Sequence, residues 1–544
     1  MIYLDIETNG LDPSCIWCAV TRQNGVNKVH TSPESLSEAL RSSQSVVGHN
    51  LIGYDMPVLK RLWKLSVEPE RIIDTLVLSR LADPSKAGGH SLRNWGNELG
   101  FPKGDHSDWS TLSKEMVDYC QRDVEVTEAV HNRLIKEMSC FSPESIELEH
   151  KVQQVIQQQE RNGWLLDQQL AHELCATFKE RMNEIEAELQ ERFQPIVHER
   201  YSEKTGKRLK DKVEVFNVGS RQQIAKRLTQ LGVVFDKTTE KGNPIVDEAV
   251  LDTIDLPEAR TISEYLMLQK RYAQVNSWLE HVSEESGRVH GRVISHGTIT
   301  GRMTHRDPNV AQVPAGHSPF GSECRSCWTV PDNKKLVGFD ASGLELRMLA
   351  HYMNDEEFTN VLLTDDIHRR NQLAAGLETR PQAKTFIYAF LYGAGDAKIG
   401  SIVGGSARDG GKLKERFLRN TPTLESLRER VIRASGRGYL KGLDGRRLHV
   451  RSEHAALNTL LQAAGAIVMK KALVILDDYA KQWNLDYKFI GNIHDEVQAE
   501  VRTEHADKYG YLAVECLKAA GLSYDLRCPL DGEYKVGTTW AETH

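Results

Sequence analysis

The sequence predicts an α/β protein of several domains, on three observations. At 544 residues the chain is too long for one hydrophobic core. Its first 140 or so residues alternate short apolar strands with helical segments. A second alternating region begins near Val289, after a long stretch of helical periodicity. Composition agrees with a globular chain: 40% of residues are hydrophobic and 27% charged. No apolar run approaches the roughly 18 residues needed to span a bilayer. Strand-like sequence starts at residue 2, which leaves no room for a targeting leader and points to a cytoplasmic location. Nine cysteines at scattered spacings suggest a reducing compartment. Two pairs, Cys15 with Cys18 and Cys324 with Cys327, have C-x-x-C spacing but no second pair nearby, so structural zinc is not expected.

The first strand, within YLDIETNGL, carries Asp5 and Glu7. Residues i and i+2 of a strand share a face, so the two carboxylates converge while Leu4 and Ile6 pack behind. Like charges so placed need a partner, and a hard cation is one candidate; a solvated edge strand is the other. Further on, VGHNLIGYDMPVLKRL leads through an apolar approach to Asn50, Tyr54 and Asp55 before a helical pattern. In MVDYCQRDVEVTEAV, Tyr119 and Asp123 stand at i and i+4 on one helix face.

A boundary is expected near Ser142, where SPES supplies an N-cap serine and a proline at the first helical position. From there to about residue 194 the pattern is helical and polar, with QQVIQQQ as an exposed helix face. Residues 195–250 are rich in charge and turns; helical periodicity then returns to about residue 285. The net charge of −7 argues against a global polycation, yet two runs are locally basic. Residues 204–212 have five basic residues against one acid, and residues 428–451 have eight against two. Both are read as loop-rich surfaces able to contact nucleic acid.

The second alternating region holds another acidic set. In KKLVGFDASGLELRMLAHY an apolar run ends at Asp340, and Glu345 follows a Ser-Gly turn. In FIGNIHDEVQAEV, apolar residues alternate at Val497, Ala499 and Val501, and Asp495 with Glu496 falls where a hairpin would bend. Two strand-end aspartates could bind metal jointly. Between them, TRPQAKTFIYAFLYGAG starts near a proline and ends in glycine, as a helix would. Arg380, Lys384, Tyr388 and Tyr392 recur every four residues along it, a spacing that suits a triphosphate with its base and sugar stacked beyond.

These motifs carry two resemblances. Asp-x-Glu, Asn-x-x-x-Tyr-Asp and Tyr-x-x-x-Asp, in order over about 120 residues, resemble the tyrosine-bearing DEDD exonucleases. GFDASGLELR, RPQAKTFIYAFLYG and IHDEV are similar to motifs A, B and C of the family A (Pol I type) DNA polymerases. SHGTITGRMTHRDPNVAQVP resembles the T-x-TGR segment of that family and LNTLLQAAGA its downstream glutamine helix. The likeness is to the replicative branch found in T-seven-type short-tailed bacteriophages and covers nearly the whole chain.

The resemblance implies an RNase H-like 3′–5′ exonuclease domain over residues 1–141 and a right-hand polymerase domain over 142–544. Connecting helices and thumb would occupy 142–288, palm 289–354 and 440–544, and fingers 355–439. Asp340 and Asp495, with the carbonyl of Ala341, would hold two magnesium ions, with manganese as a substitute. Arg380, Lys384 and His368 would grip the triphosphate, and Glu345 would exclude ribonucleotides. Tyr388 would weaken selection against 3′-deoxy terminators, and Tyr392 would pack by the template base. Arg302, Gln462 and His494 would contact primer-template DNA in the minor groove. Asp5, Glu7, Asp55 and Asp123 would hold two more ions, and Tyr119 would orient the attacking water.

The partners implied are primer-template DNA, dNTPs, a helicase-primase and a single-strand binding protein, in the cytoplasm of a bacterial host. The phage branch carries a thumb insertion that captures thioredoxin. Here EKTGKRL passes almost directly to VFNVGSRQQIAKRL, so thioredoxin is not expected as a partner. Three rivals remain: a gap-filling repair polymerase, a DNA-binding subunit with degenerate sites, and a single-subunit RNA polymerase. Intact carboxylates oppose the second, and Glu345 with the exonuclease set opposes the third.

Overall fold

The structure, a computed structural model, describes residues 1–544. Its N-terminal sheet runs Val26–His30, Ile16–Gln23, Ile2–Thr8, Val46–Gly48, Ile72–Asp74 from edge to edge. The first strand is central, antiparallel to Ile16–Gln23 and parallel to Val46–Gly48. Leu4 and Ile6 enter an apolar core with Leu36, Val58 and Leu59, which explains the apolar half of the strand. Tyr3, Cys18 and Val20 face the other way, onto Cys120 and Val124 of helix Lys114–Glu137. That helix starts where Ser113 accepts a hydrogen bond from the Met116 amide at 3.1 Å.

Ser142 caps helix Pro143–Asn162 as expected, with proline in the first turn. The expected exposed face of QQVIQQQ is overturned: Gln153, Gln157 and Gln159 are buried. This helix packs against helix Ala456–Gln482 and strand Tyr487–Ile493, which cover these side chains from water. Gln153 Oε1 accepts from Ser295 Oγ at 2.8 Å. Next come two long helices packed on one another, Gln168–Arg192 and Pro257–Glu280, around a core that includes Phe178, Tyr265 and Trp278. Between them a hairpin of Ile196–Tyr201 with Arg208–Glu214 carries the basic run 204–212 in the open.

The C-terminal sheet is antiparallel, ordered Tyr487–Ile493, Glu496–Arg502, Lys334–Ala341, Gly532–Gly537. The apolar alternation at Val497, Ala499 and Val501 does not leave a solvated face between them. Gln498 and Glu500 are as buried as their apolar neighbours. One face meets helices Ala456–Gln482 and Ala506–Ser523; the other adds Leu336, Ile490, Ile493 and Trp540 to the core of the paired helices. Glu500 is neutralised there by Arg288 at 2.6 Å.

Helix Ala456–Gln482 has no uninterrupted apolar run of spanning length, since Lys470 and Lys471 break it. The span Glu453–Gln482 is long and apolar enough to cross a membrane by composition, yet 83% of its most apolar window is buried inside the protein. A helix apolar on all sides is what a core surrounded on all sides requires. Five helices between Met353 and Tyr439 form the segment opposite the sheet: Glu356–Thr364, Ile367–Ala375, Arg380–Leu391, Ala407–Arg419 and Pro422–Ser435, with the short Asp396–Ser401 among them. The run 428–451 is only partly a loop, because it begins inside Pro422–Ser435. Arg446 within it is buried, paired with Glu149 at 2.6 Å and with Asp444, and is no surface cation.

Candidate active sites

Asp340 sits one residue from the end of strand Lys334–Ala341, and Asp495 in the tight turn between strands Tyr487–Ile493 and Glu496–Arg502. The turn is closed by His494 in a left-handed conformation, φ 61°, which presents Asp495 beside the neighbouring strand end. There the Ala341 amide donates to the Asp495 carbonyl at 3.3 Å, and Asp340 pairs in register with Glu496. Asp340 keeps solvent contact but stands in a wall of protein: burial, then Asp495 and Glu496, push its carboxyl up to about 7. Burial, then Glu345, raises Asp495 as well.

Glu496 behaves differently. Burial would raise it, but His544 at 2.7 Å, Gln498 at 2.7 Å and the Trp540 indole hold it below the usual range. It therefore stays a permanent anion under the site. Sequence reasoning assigned Glu496 no role; its partners come from the C-terminal segment and are invisible to local pattern.

A track of side chains leads away from the aspartates. Tyr388 feels both Glu345 and Asp495, and its ring lies 6.1 Å from His368 and 6.3 Å from Tyr392. Asp366 caps helix Ile367–Ala375 and also pairs with Arg380, which brings Arg380 beside His368. Burial, then Arg380, lowers the His368 imidazole, and Lys384 adds to this. On the other side Glu345 accepts from the Tyr392 hydroxyl at 3.0 Å and from Arg302 at 3.2 Å. Arg302, His494 and Asp495 line one enclosed cavity with Gly465 and Ala466. Gln462 is half-buried one turn earlier on the same helix. The structure thus places Glu345, Arg302 and His494 beside Asp495, and sets Arg380, Lys384 and His368 in a second group reached through Tyr388.

The N-terminal set also meets. Oxygens of Asp5 and Glu7 lie within 4.8 Å of each other and of Cys120 Sγ. Burial, then Asp123, pushes Asp5 up to about 7; burial, then Asp5, pushes Glu7 up to about 10. Burial, then Asp5, drives Asp55 well above its usual value. Asp123 is pushed up to about 6 by burial, against the pull of Lys103. Asp55 is delivered by a loop that Asp74 organises, accepting from the Asn50 amide at 2.8 Å and the Ile52 amide at 3.0 Å. The IIDTL pattern, an apolar strand followed by an N-cap aspartate, could have flagged Asp74. Nothing in FPKGDH could have flagged Lys103, which pairs with Asp123.

Both sets fit hard divalent cations. Their donors are mostly carboxylate oxygens crowded until protonation or a cation relieves them, and the buried Oδ1 of Asp123 has no hydrogen-bond partner. The buried thiol of Cys120, 3.5 Å from Asp5 Oδ2, is a soft donor at this site, with the Cys18 thiol behind it.

Known proteins give this geometry a context. The sequence profile described as DNA polymerase family A matches residues 179–542. The chain is 35% identical to the DNA-directed DNA polymerase of Enterobacteria phage T3, over 94% of each chain. It is also 35% identical to that of Escherichia phage T7, over 92% of each. It is 26% identical to DNA polymerase I of Aquifex aeolicus, over 99% of this chain and 96% of the other. A solved structure, the POL domain of Pol1 from M. smegmatis in complex with DNA primer-template and dNTP, covers 99% of this chain at a TM-score of 0.83 and 18% identity. The last likeness concerns the fold alone. With the profile spanning most of its length and two phage enzymes matched nearly end to end, the chain belongs to DNA polymerase family A and is a DNA-directed DNA polymerase.

Proposed function

We propose that this polymerase replicates phage DNA in the cytoplasm of a bacterial host and removes its own errors with a 3′–5′ exonuclease in residues 1–141. The carrying observation is the meeting of Asp340 and Asp495 at one strand end, 155 positions apart in sequence but joined through the Ala341 amide. Their carboxylates and the Ala341 carbonyl suit two magnesium ions, with manganese as a substitute. Such ions, when bound, neutralise phosphate charge and lower the pKa of a primer 3′-hydroxyl.

The chain's own residues do the positioning. Arg380, Lys384 and His368 bind the triphosphate, and Tyr388 supplies an aromatic surface beyond them. Glu345, fixed by Tyr392 and Arg302, closes the space a ribose 2′-hydroxyl would need. Arg302, Gln462 and His494 contact the primer-template minor groove, where readout is largely blind to sequence. In this reading residues 142–288 are connecting helices and thumb, 289–354 and 440–544 palm, and 355–439 fingers.

The exonuclease reading rests on Asp5, Glu7, Asp55 and Asp123 around one point, with Tyr119 beside Asp123 to orient water. The N-terminal strand order, with a central first strand flanked by one antiparallel and one parallel neighbour, supports an RNase H-like domain. Replication also calls for a helicase-primase and a single-strand binding protein. Thioredoxin is not a partner in this reading: the segment between the paired helices is a short hairpin with two small helices. The alignment to the T3 enzyme runs to 662 positions, longer than this chain, so parts of that relative have no counterpart here.

The test is extension of a labelled primer on a long single-stranded template with magnesium, with and without dNTPs, and with thioredoxin as a separate addition. Long products with dNTPs, 3′ degradation without them and no lengthening by thioredoxin are expected. Short products throughout would favour gap filling, and degradation alone would remove the polymerase half.

A further inference from the structure

Lys103 lies in residues 101–112, a segment without helix or strand that closes over the N-terminal site. It is held from both sides. Arg122 donates to the Pro102 carbonyl at 2.9 Å and stacks over Phe101, while Arg93 pairs with Asp105 at 2.8 Å. Beyond, Trp17 donates to the Trp109 carbonyl at 3.0 Å, and the rings of His106 and Trp109 stand 5.8 and 5.7 Å from that of Tyr119. Within this frame the Lys103 ammonium pairs with Asp123 and sits 4.7 Å from the centre of the Tyr119 ring. An ammonium has three donors; Asp123 takes one and the Tyr119 hydroxyl a second, which leaves one free.

Charge arithmetic says what the remaining donor is for. Asp5, Glu7, Asp55 and Asp123 carry four negative charges when ionised, which two divalent cations balance. The scissile phosphate and attacking hydroxide then add two more. Lys103 is the cation that touches both the carboxylate Asp123 and the phenol beside the attacking water. A group in that position is within one hydrogen bond of the phosphate under attack.

Resting on the exonuclease reading above, we propose that Lys103 is a phosphate-contacting residue of the 3′–5′ exonuclease, exchanging Asp123 for a non-bridging oxygen of the scissile phosphodiester once metal and a 3′ end are bound. Before that exchange its ammonium occupies the cation side of Asp123 and competes with metal. The bond changes belong to ordinary hydrolysis: hydroxide attacks phosphorus, the bond to the 3′-oxygen of the preceding nucleotide breaks, that oxygen takes a proton from solvent, a 5′-mononucleotide departs, and Lys103 is neither consumed nor deprotonated.

The experiment uses the full chain with Asp340→Ala and Asp495→Ala, so that only the N-terminal site binds metal and acts on DNA. Lys103→Met, Lys103→Gln and Lys103→Arg are compared for hydrolysis of a labelled single strand, equilibrium binding of Mn2+ and thermal midpoint. Lys103→Met and Lys103→Gln should cut kcat by about 10² with little change in KM. They should also bind Mn2+ about fivefold more tightly, because the competing charge is gone. Lys103→Arg should recover most of the rate, and primer extension by Lys103→Met with Asp340 and Asp495 intact should be unchanged. Neutral variants within threefold of their parent in kcat would overturn the assignment. So would metal affinity falling together with rate, which marks a merely structural lysine. A parent that degrades no strand, or degradation that survives Asp5→Ala with Glu7→Ala, would instead overturn the exonuclease reading, and this assignment with it.

Discussion

Glu345 is fixed by two donors, Arg302 at 3.2 Å and Tyr392 at 3.0 Å, and its carboxylate therefore stands at one place in the cleft rather than sampling many. Removing it in Glu345→Ala should open the sugar pocket and raise ribonucleotide use by about tenfold or more, measured as the ratio of kcat/KM for dNTP and rNTP. Asp340 gives a second prediction at this scale. Its carboxyl, pushed up to about 7, is protonated below that pH, and the protonated form cannot hold magnesium. Extension at limiting magnesium should fall as pH drops from 8 to 6 and recover with excess magnesium; a rate insensitive to magnesium at pH 6 would contradict it. Residue types were legible at both sites, because carboxylates at i and i+2 or at strand ends announce shared faces. Lys103 and Glu496 were not, since each acquires its role from neighbours distant in sequence.

Helix Pro143–Asn162 shows what an element gains from its neighbours. Its Glu149 receives Lys470 at 2.7 Å and Arg446 at 2.6 Å, and is 3.3 Å from His296. Burial would raise the Glu149 carboxyl, but Lys470 and Arg446 hold it well below its usual value, while burial lowers Lys470 to about 8. The cluster ties this helix to helix Ala456–Gln482 and to the hairpin that holds Arg446. Glu149→Ala would leave the buried Lys470 without a carboxylate and Arg446 with Asp444 alone, and should cost about 3–5 kcal/mol, read as a lower midpoint in chemical or thermal unfolding.

The N-terminal sheet makes the opposite prediction about pH. Asp5 and Glu7 have folded pKa values raised above their unfolded ones, to about 7 and about 10. Such groups favour the folded state when protonated, so their contribution is largely present at pH 4 and is lost as pH rises through 7 for Asp5 and on toward 10 for Glu7. Magnesium should therefore raise the thermal midpoint by about 3 °C or more at pH 8 and by less at pH 5. The cap at Ser142 was readable as an element boundary. The burial of Gln153 was not, because polar composition looks the same on a solvated face and on one where Ser295 supplies the partner.

Across the whole molecule the two carboxylate sets lie in separate sheets with separate cores, which predicts separable activities. Asp340→Ala should lower primer extension by about 10³ or more and spare degradation of a single strand, whereas Asp5→Ala with Glu7→Ala should do the converse. Loss of both activities in either variant would contradict two independent sites. The sequence by itself determined the α/β class, the helix start at Ser142, the order of the motifs and the candidate carboxylates of both sets, because each is written in local periodicity or spacing. Tertiary structure alone decided which faces meet. It buried Gln498, Glu500 and Arg446, surrounded helix Ala456–Gln482, and set Lys103 against Asp123. The physical reason is range. Periodicity records whether one side of an element is apolar, but a polar group becomes buried only when its partner arrives, and Lys470 reaches Glu149 across 321 residues of chain.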